Sequence, residues 1–351
     1  MTAREIVFFS SPLETAQVER IRAAAGARAE IVHLPDLHPP LRYVADHNGR
    51  ADFRRDAAQE ARWRAALARA TILWDFPGKS ADGTEGLALA PHVRWVQTTS
   101  AGVGQMVARL GLAASDVVVT TARGVHADAL AEFVFLALLM RSKDLARLQR
   151  DQRAHRWERY CGGELAGQTI AIVGAGMIGA QTARVARAFG MRVIGTLANP
   201  SPARAAALGL DEVHGQAQLH AVLAQADAVV LCTPHTPATE RMIDARAIAA
   251  MKPGATLINI ARGVVVDEEA MIDALRRRQI GFAALDVATI EPLPATSPLW
   301  DMDNVLISPH SASTAPSENR KITDIFLHNL DCWLEGRRAD MRNVLDKQRM
   351  Y

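Results

Sequence analysis

A chain of 351 residues, 49% of them hydrophobic, is long enough for two ordinary domains with real cores. Forty basic residues against 38 acidic ones leave a formal charge of +2, too even a balance for a nucleic-acid groove or a polybasic membrane anchor, so a small-molecule partner is expected. Cys161, Cys232 and Cys332 are far apart and outside any CxxC spacing, which argues against a disulfide framework or a metal site and fits a reducing, cytoplasmic compartment.

The first residues, MTAREIVFFSS, hold only a short apolar run, less than a signal-peptide core needs. Strand-like runs follow in order, EIVFFS, AEIVHL, ATILWDF, VRWVQTT and DVVVTT, alternating with Ala/Arg-rich helical stretches that are clearest over residues 52–70. This is the βα rhythm of an open parallel sheet. Residues 128–150 then read as one long helix, apolar along Leu130, Phe133, Val134, Ala137 and Leu138 and basic toward its end. Its greasiest part, LAEFVFLALLM, contains Glu132 and falls short of the roughly 20 residues that span a bilayer, so no membrane segment is expected.

After Gly167 a second series appears, TIAIVG, RVIGTL, AVVLCT, TLINIA, FAALDV and VLISPH, with helices between most of them. Ile322, Ile325, Phe326, Asn329, Leu330 and Trp333 then recur at helical spacing over residues 317–336. The expectation is two doubly wound parallel-sheet domains of Rossmann or flavodoxin type with a cleft between them. A substrate domain would take 1–120 plus 311–351, and a dinucleotide-binding domain 121–310.

The second series opens with VGAGMIG, where a buried β-branched run meets a glycine-rich turn and then a helix. Gly174 permits the sharp turn, Gly176 lets backbone approach a pyrophosphate, and Gly179 lets the helix pack on the strand. Ala175, Met177 and Ile178 complete the cradle with their amides. An acid about 20 residues on commonly holds the adenosine ribose. Here the tip reads GTLANPSPAR: Leu197 stands near the acid's place, and Asn199, Ser201 and Arg204 follow. Nothing repels a 2′-phosphate and Arg204 could pair with one, so NAD(P) is expected with NADP favoured. The alternative is that Arg204 simply sits in solvent on a helix.

Five ordered segments, VGAGMIG, CTPHTPATE, INIARGVVVDEEAM, ALDVATIEPLP and ISPHSAS, resemble the successive signatures of the D-isomer-specific 2-hydroxyacid dehydrogenases. That resemblance implies catalytic roles for Arg262, Glu291 and His310. It also implies positions beside the nicotinamide amide for Asp286 and the Ala261 backbone, and a pocket lined by Thr233 and Pro234. TTSAGVGQM resembles the family's substrate-carboxylate loop, with amides of Ala101, Gly102, Val103 and Gly104 forming an anion nest. Two departures stand out, Gly104 near the usual place of an Asp and Ser313 where many relatives carry Gly. Trp74 and Phe76, at the end of a strand, are expected to shape the substrate pocket. A homodimer is the family habit.

The chemistry of these residue types agrees. Reducing a 2-keto acid to a 2-hydroxy acid needs a proton for the carbonyl oxygen and a fixed cation for the carboxylate. Arg262 offers a planar fork for both oxygens, and His310 an acid that titrates near neutrality, with Glu291 favouring its protonated form. Glyoxylate and hydroxypyruvate are the expected scale of substrate. A formate- or phosphite-type dehydrogenase and a nucleotide-sensing corepressor are the alternatives within the resemblance. His126, His155 and His235 are the competing histidines.

Overall fold

The computed structural model describes residues 4–350. In chain order its strands are β1 (Glu5–Phe9), β2 (Ala29–Val32), β3 (Ile72–Trp74), β4 (Trp95–Gln97), β5 (Val118–Thr120), β6 (Thr169–Val173), β7 (Arg192–Leu197), β8 (Glu212–Gly215), β9 (Ala228–Leu231), β10 (Ala255–Asn259), β11 (Ile280–Leu285) and β12 (Val305–Ile307). The α-helices are α1 (Thr15–Ala25), α2 (Ala57–Arg69), α3 (Gly104–Arg109), α4 (Ala127–Ser142), α5 (Leu145–Arg153), α6 (Met177–Ala188), α7 (Pro202–Leu208), α8 (Leu219–Leu223), α9 (Ala245–Ala250), α10 (Glu268–Arg276) and α11 (Glu318–Leu334). They divide into two compact units, Met1–Val125 with Thr314–Tyr351, and His126–Ser313.

The first unit carries a five-stranded sheet in the order β2-β1-β3-β4-β5, every pairing parallel. Because βα crossovers cover both faces, its central strands β3 and β4 are buried along their whole length, whereas the edge strand β2 is only partly buried. One face is covered by α11, which returns from far along the chain. Phe326 stacks on Trp95 at 5.0 Å and meets Trp74 edge-on at 5.6 Å, and Trp333 stacks on Trp95 at 5.6 Å. On the other face Phe8 packs edge-on against Trp63 of α2 at 5.1 Å. Helix α2 starts later than residue 52 because Asp56 and Gln59 form a reciprocal cap, Gln59 N donating to Asp56 Oδ1 at 2.8 Å and Asp56 N to Gln59 Oε1 at 3.0 Å.

The second unit carries seven parallel strands in the order β12-β11-β10-β9-β6-β7-β8. The order reverses between β6 and β9, and such a switch point opens a crevice at the carboxyl ends of the strands. Strand β8 escapes sequence reading because EVHG offers one apolar residue and lies at the sheet edge. The long helix expected over 128–150 is two. Asp144 turns left-handed (φ 50°) and its carboxylate caps Arg147 N, while Gly163 N takes the Ser142 carbonyl at 2.7 Å and ends α4. No helix among the described residues is long and apolar enough to cross a membrane.

Candidate active site

The glycine turn joins β6 to α6 at the switch point. Gly174 has φ 83°, and a Cβ there would lie 2.5 Å from Thr233 Cγ2, so glycine is required both by the turn and by the close approach of the segment after β9. A Cβ at Gly179 would lie 2.9 Å from Ile172 of β6, which explains how tightly α6 sits on the sheet. At Gly176 the same test meets nothing within 4 Å: the backbone faces open space. Ala175 N is paired with Thr196 O and Gly176 N with Gly174 O, but among the described residues Met177 N, Ile178 N and Gly179 N donate no hydrogen bond. Three unpaired amides at the positive end of a 12-residue helix, beside an open glycine, fit a dinucleotide pyrophosphate.

At the tip of β7, Leu197 is buried while Asn199 and Arg204 are exposed. Arg204 folds back, its Nη1 donating to Asn199 O at 2.9 Å, and the Ser201 hydroxyl caps α7 by accepting from Arg204 N. No carboxylate occupies residues 197–204. Thr233 is buried. Pro234 is exposed, its carbonyl held by the Thr239 hydroxyl at 2.6 Å.

Arg262, Glu291 and His310 follow the carboxyl ends of the adjacent strands β10, β11 and β12. His310 Nδ1 lies 2.7 Å from Glu291 Oε2, and Glu291 Oε1 accepts from Ala288 N at 3.1 Å, so the carboxylate is itself anchored. Among the described residues no partner meets His310 Nε2, which leaves that nitrogen to exchange a proton with a ligand. The Arg262 side chain is half-buried. Burial draws its pKa below the ordinary arginine value, opposed by the charges of Glu291 and Asp286. Yet among the described residues no carboxylate comes within ion-pairing distance of it, and its side chain donates only to Ala261 O, at 2.7 Å. A partly desolvated guanidinium with no carboxylate in contact is suited to receive an anion.

Three further residues hold this arrangement and were not singled out for that role from the sequence. Asn259 brackets the arginine, accepting from Ala261 N and donating to Arg262 O, both at 3.1 Å. Gly263 is required because a Cβ there would overlap the backbone of Ala288 and Thr289. Asp286, expected beside the nicotinamide, is buried, and one oxygen accepts from Ser308 Oγ at 2.7 Å and from Ser311 N and Ala312 N at 2.9 Å. His310 N donates to Asp286 O at 2.8 Å. This one residue fixes both sides of His310, which is held left-handed at φ 55°. The Arg-Gly dipeptide was the visible signal for Gly263; Asp286 was named through the family resemblance but for another role, and Asn259 offered only a polar residue at a strand end.

In the first unit, residues 101–104 lead into α3. Among the described residues none of the amides of Ala101, Gly102, Val103 and Gly104 donates a hydrogen bond, as an anion nest requires. Thr99 donates to Asp75 Oδ2 at 2.6 Å, and Asp75 Oδ1 accepts from Phe76 N at 2.9 Å, tying this loop to the end of β3. Trp74, expected at the substrate pocket, is instead fully buried, its ring packed on Phe9 and Phe326 in the core of the first unit. Its alternation along β3 points it into the core. Phe76 is half-buried, packed between the cluster around Trp63 and Leu73 and the cluster around Val103 and Val107. A side chain at Gly104 would require Met350 to shift, because a Cβ there would overlap the Met350 carbonyl.

Known proteins resemble the chain in sequence and in fold. The family model described as D-isomer specific 2-hydroxyacid dehydrogenase, NAD binding domain, matches residues 135–312. D-3-phosphoglycerate dehydrogenase of Mycobacterium leprae is 36% identical over 281 residues, 77% of this chain and 50% of that protein. The chain thus spans about half the length of the curated relatives of that kind. A glyoxylate reductase of Korarchaeum cryptofilum is 33% identical, covering 62% of this chain and 66% of that one. Among solved structures, a D-isomer specific 2-hydroxyacid dehydrogenase from Xanthobacter autotrophicus Py2, in complex with NADPH and MES, superposes with a TM-score of 0.76 at 29% identity, covering 99% of each chain. With its two parallel-sheet units, its glycine turn and its Arg, Glu and His at successive strand ends, the chain belongs to the family of D-isomer-specific 2-hydroxyacid dehydrogenases.

Proposed function

We propose that the protein interconverts small 2-keto acids and D-2-hydroxy acids with a nicotinamide dinucleotide, with glyoxylate or hydroxypyruvate as the scale of substrate. The observation that carries this reading is the half-buried Arg262, held only by the Ala261 carbonyl and by no carboxylate, on the strand end next to the Glu291–His310 pair. Met177, Ile178 and Gly179 would hold the pyrophosphate, Thr233 and Pro234 the wall of the nicotinamide pocket, and Ala261 and Asp286 its amide end. When bound, the dinucleotide supplies or accepts the hydride.

The chain's own residues do the rest. Arg262 swings from Ala261 O onto the substrate's carboxylate and carbonyl oxygens, orienting the acid and polarising the C=O. His310 Nε2 delivers a proton to the carbonyl oxygen as it becomes a hydroxyl, and takes it back in the oxidative direction. Glu291, bonded to Nδ1, fixes the ring's orientation and points Nε2 away from it. In the first unit, the free amides of residues 101–104 form a nest suited to a carboxylate. NADP is favoured over NAD: no carboxylate stands at the tip of β7 to repel a 2′-phosphate, Arg204 is exposed there, and the Xanthobacter relative was solved with NADPH.

A panel of glyoxylate, hydroxypyruvate, pyruvate, 3-phosphohydroxypyruvate, formate and phosphite, run with both NAD(H) and NADP(H), tests the reading. The expected result is turnover of the small keto acids, faster with NADPH. Activity on formate or phosphite alone, or dinucleotide binding with no turnover on any acid, would overturn it.

A further inference from the structure

The segment after α11 takes a defined course. Arg342 N donates to Asn329 Oδ1 at 2.7 Å and Asn329 Nδ2 to Arg342 O at 3.0 Å, rooting the segment on the helix. It then adds to the free edge of the first unit's sheet. Asn343 O accepts from Thr121 N at 3.0 Å, Leu345 N donates to Val119 O at 2.9 Å, and Val344 bridges Thr120 in antiparallel register. The Asn343 side chain reaches Arg123 O at 2.8 Å, and Lys347 Nζ reaches Ser115 O at 2.6 Å. Leu345 is buried among Val103, Val107, Leu112 and Val119. Asp346 caps a last turn through Gln348 N and Arg349 N, both at 3.0 Å, and Met350 N closes that turn on Asp346 O at 2.8 Å. The turn ends with the Met350 backbone pressed on Gly104, its Cβ 2.6 Å from where a Gly104 Cβ would be.

Two residues of the loop with four unpaired amides, Val103 and Gly104, are therefore held from the side by a segment that the chemistry of the site does not otherwise use. The loop is anchored at its ends, by Ala122 N on Ser100 O at 3.2 Å and Val107 N on Val103 O at 2.9 Å, but its free N–H groups bond nothing, so packing from the side helps to set their direction. We propose that residues 343–350 form a strap that positions the anion-binding loop at 101–104, and that position 104 is glycine because the strap occupies the space a side chain would fill. The strap acts through the loop: Asn343, Leu345, Lys347 and Met350 are positioning residues for substrate binding. The proposal rests on the reading of 101–104 as the site of the substrate carboxylate.

A double-mutant cycle tests it. Gly104→Ala inserts a methyl into the space of Met350, and deletion of residues 346–351 removes the strap's last turn. Each change alone is expected to raise KM for the keto acid about tenfold, with kcat within about threefold and the NADPH dissociation constant unchanged, since the phosphate cradle belongs to the other unit. In the deletion background Gly104→Ala is expected to add little, because nothing remains for the methyl to meet. Hydrogen exchange reads the strap independently of activity: the deletion is expected to speed amide exchange over residues 98–110 and to leave the β6–α6 turn unaffected. Unchanged exchange there, or fully additive effects on KM, would overturn the strap. Gly102→Pro, which removes one amide from the nest, separates the two ideas. If it leaves KM unchanged, the carboxylate reading of the loop fails; if it raises KM while the deletion does not, the strap alone fails.

Discussion

The Gly263→Ala variant probes how the Arg262 and Glu291 loops share space. Gly263 has an ordinary backbone conformation, so alanine brings no dihedral penalty and its effect is wholly steric. The added methyl would overlap the carbonyl of Ala288 and the amide of Thr289. Those are backbone atoms, and neither is loose: Ala288 N is bonded to Glu291 Oε1 at 3.1 Å and Thr289 N to Glu268 Oε2 at 3.0 Å. Relief requires the 286–291 loop to move as a piece and to drag Glu291 from the 2.7 Å contact with His310. Overpacking of this kind costs about 1–3 kcal/mol of stability. A shift of about 1 Å in a catalytic group costs on the order of 100-fold in rate. The expected outcome is thus kcat reduced roughly 100-fold with NADPH binding intact, measured by steady-state kinetics, fluorescence titration and thermal melting. Gly254→Ala is the control. It lies at the opposite end of β10 with φ 77° and open space around it, so it is expected to lose about 1 kcal/mol of stability and no kcat. A Gly263→Ala enzyme with wild-type kcat would refute the reasoning, because the two loops would then not be constrained by that contact.

His310→Gln keeps the ring's volume approximately but has no titrating proton; kcat is expected to fall by about 10²–10⁴ while NADPH affinity is retained, and an unchanged kcat would remove His310 from its role. Arg262→Ala forfeits two charge-assisted bonds of about 1.5–3 kcal/mol each, so kcat/KM is expected to drop by roughly 10²–10⁴, with KM raised; a variant with normal KM contradicts the assignment. His38 gives a pH prediction for the fold. Burial pushes its pKa from 6.5 down to about 4, so the unfolded chain binds the proton more readily than the folded one. Stability is therefore complete above about pH 6.5 and falls between there and pH 4, by up to about 3 kcal/mol. Urea denaturation at pH 4.5 and pH 7 should show that loss shrinking in His38→Gln; an identical pH slope in both proteins would count against it.

The strands were legible wherever a parallel sheet demanded unbroken apolar runs, as in TIAIV and FAAL, and opaque at β8, whose edge position asks little of its side chains. The break between α4 and α5 was hidden because leucine and arginine favour helix on both sides of it, while the ending depends on Gly163, remote in sequence. The site divides in the same way. That Arg262, Glu291 and His310 follow strands could be read from the runs before them. That Arg262 lacks a counter-ion, that Asp286 gathers three donors around His310, and that Trp74 faces the core are facts about neighbours far along the chain. Gly104 shows the difference most plainly: in the sequence it is a departure without a cause, and in the fold the cause lies at Met350.

The return of α11 to the first sheet also sets an order of assembly. Residues 126–313 are contiguous and can close their core as soon as they are made, whereas the first unit, although begun earlier, lacks its aromatic cover until Phe326 and Trp333 are synthesised. Roughly 200 residues separate β5 from the end of α11. At roughly 5–20 residues per second the faces of Trp74 and Trp95 stay bare for about 10–40 s on the ribosome. Newly made chains are thus most exposed to aggregation through a half-finished N-terminal sheet, and it is there that a chaperone would engage them.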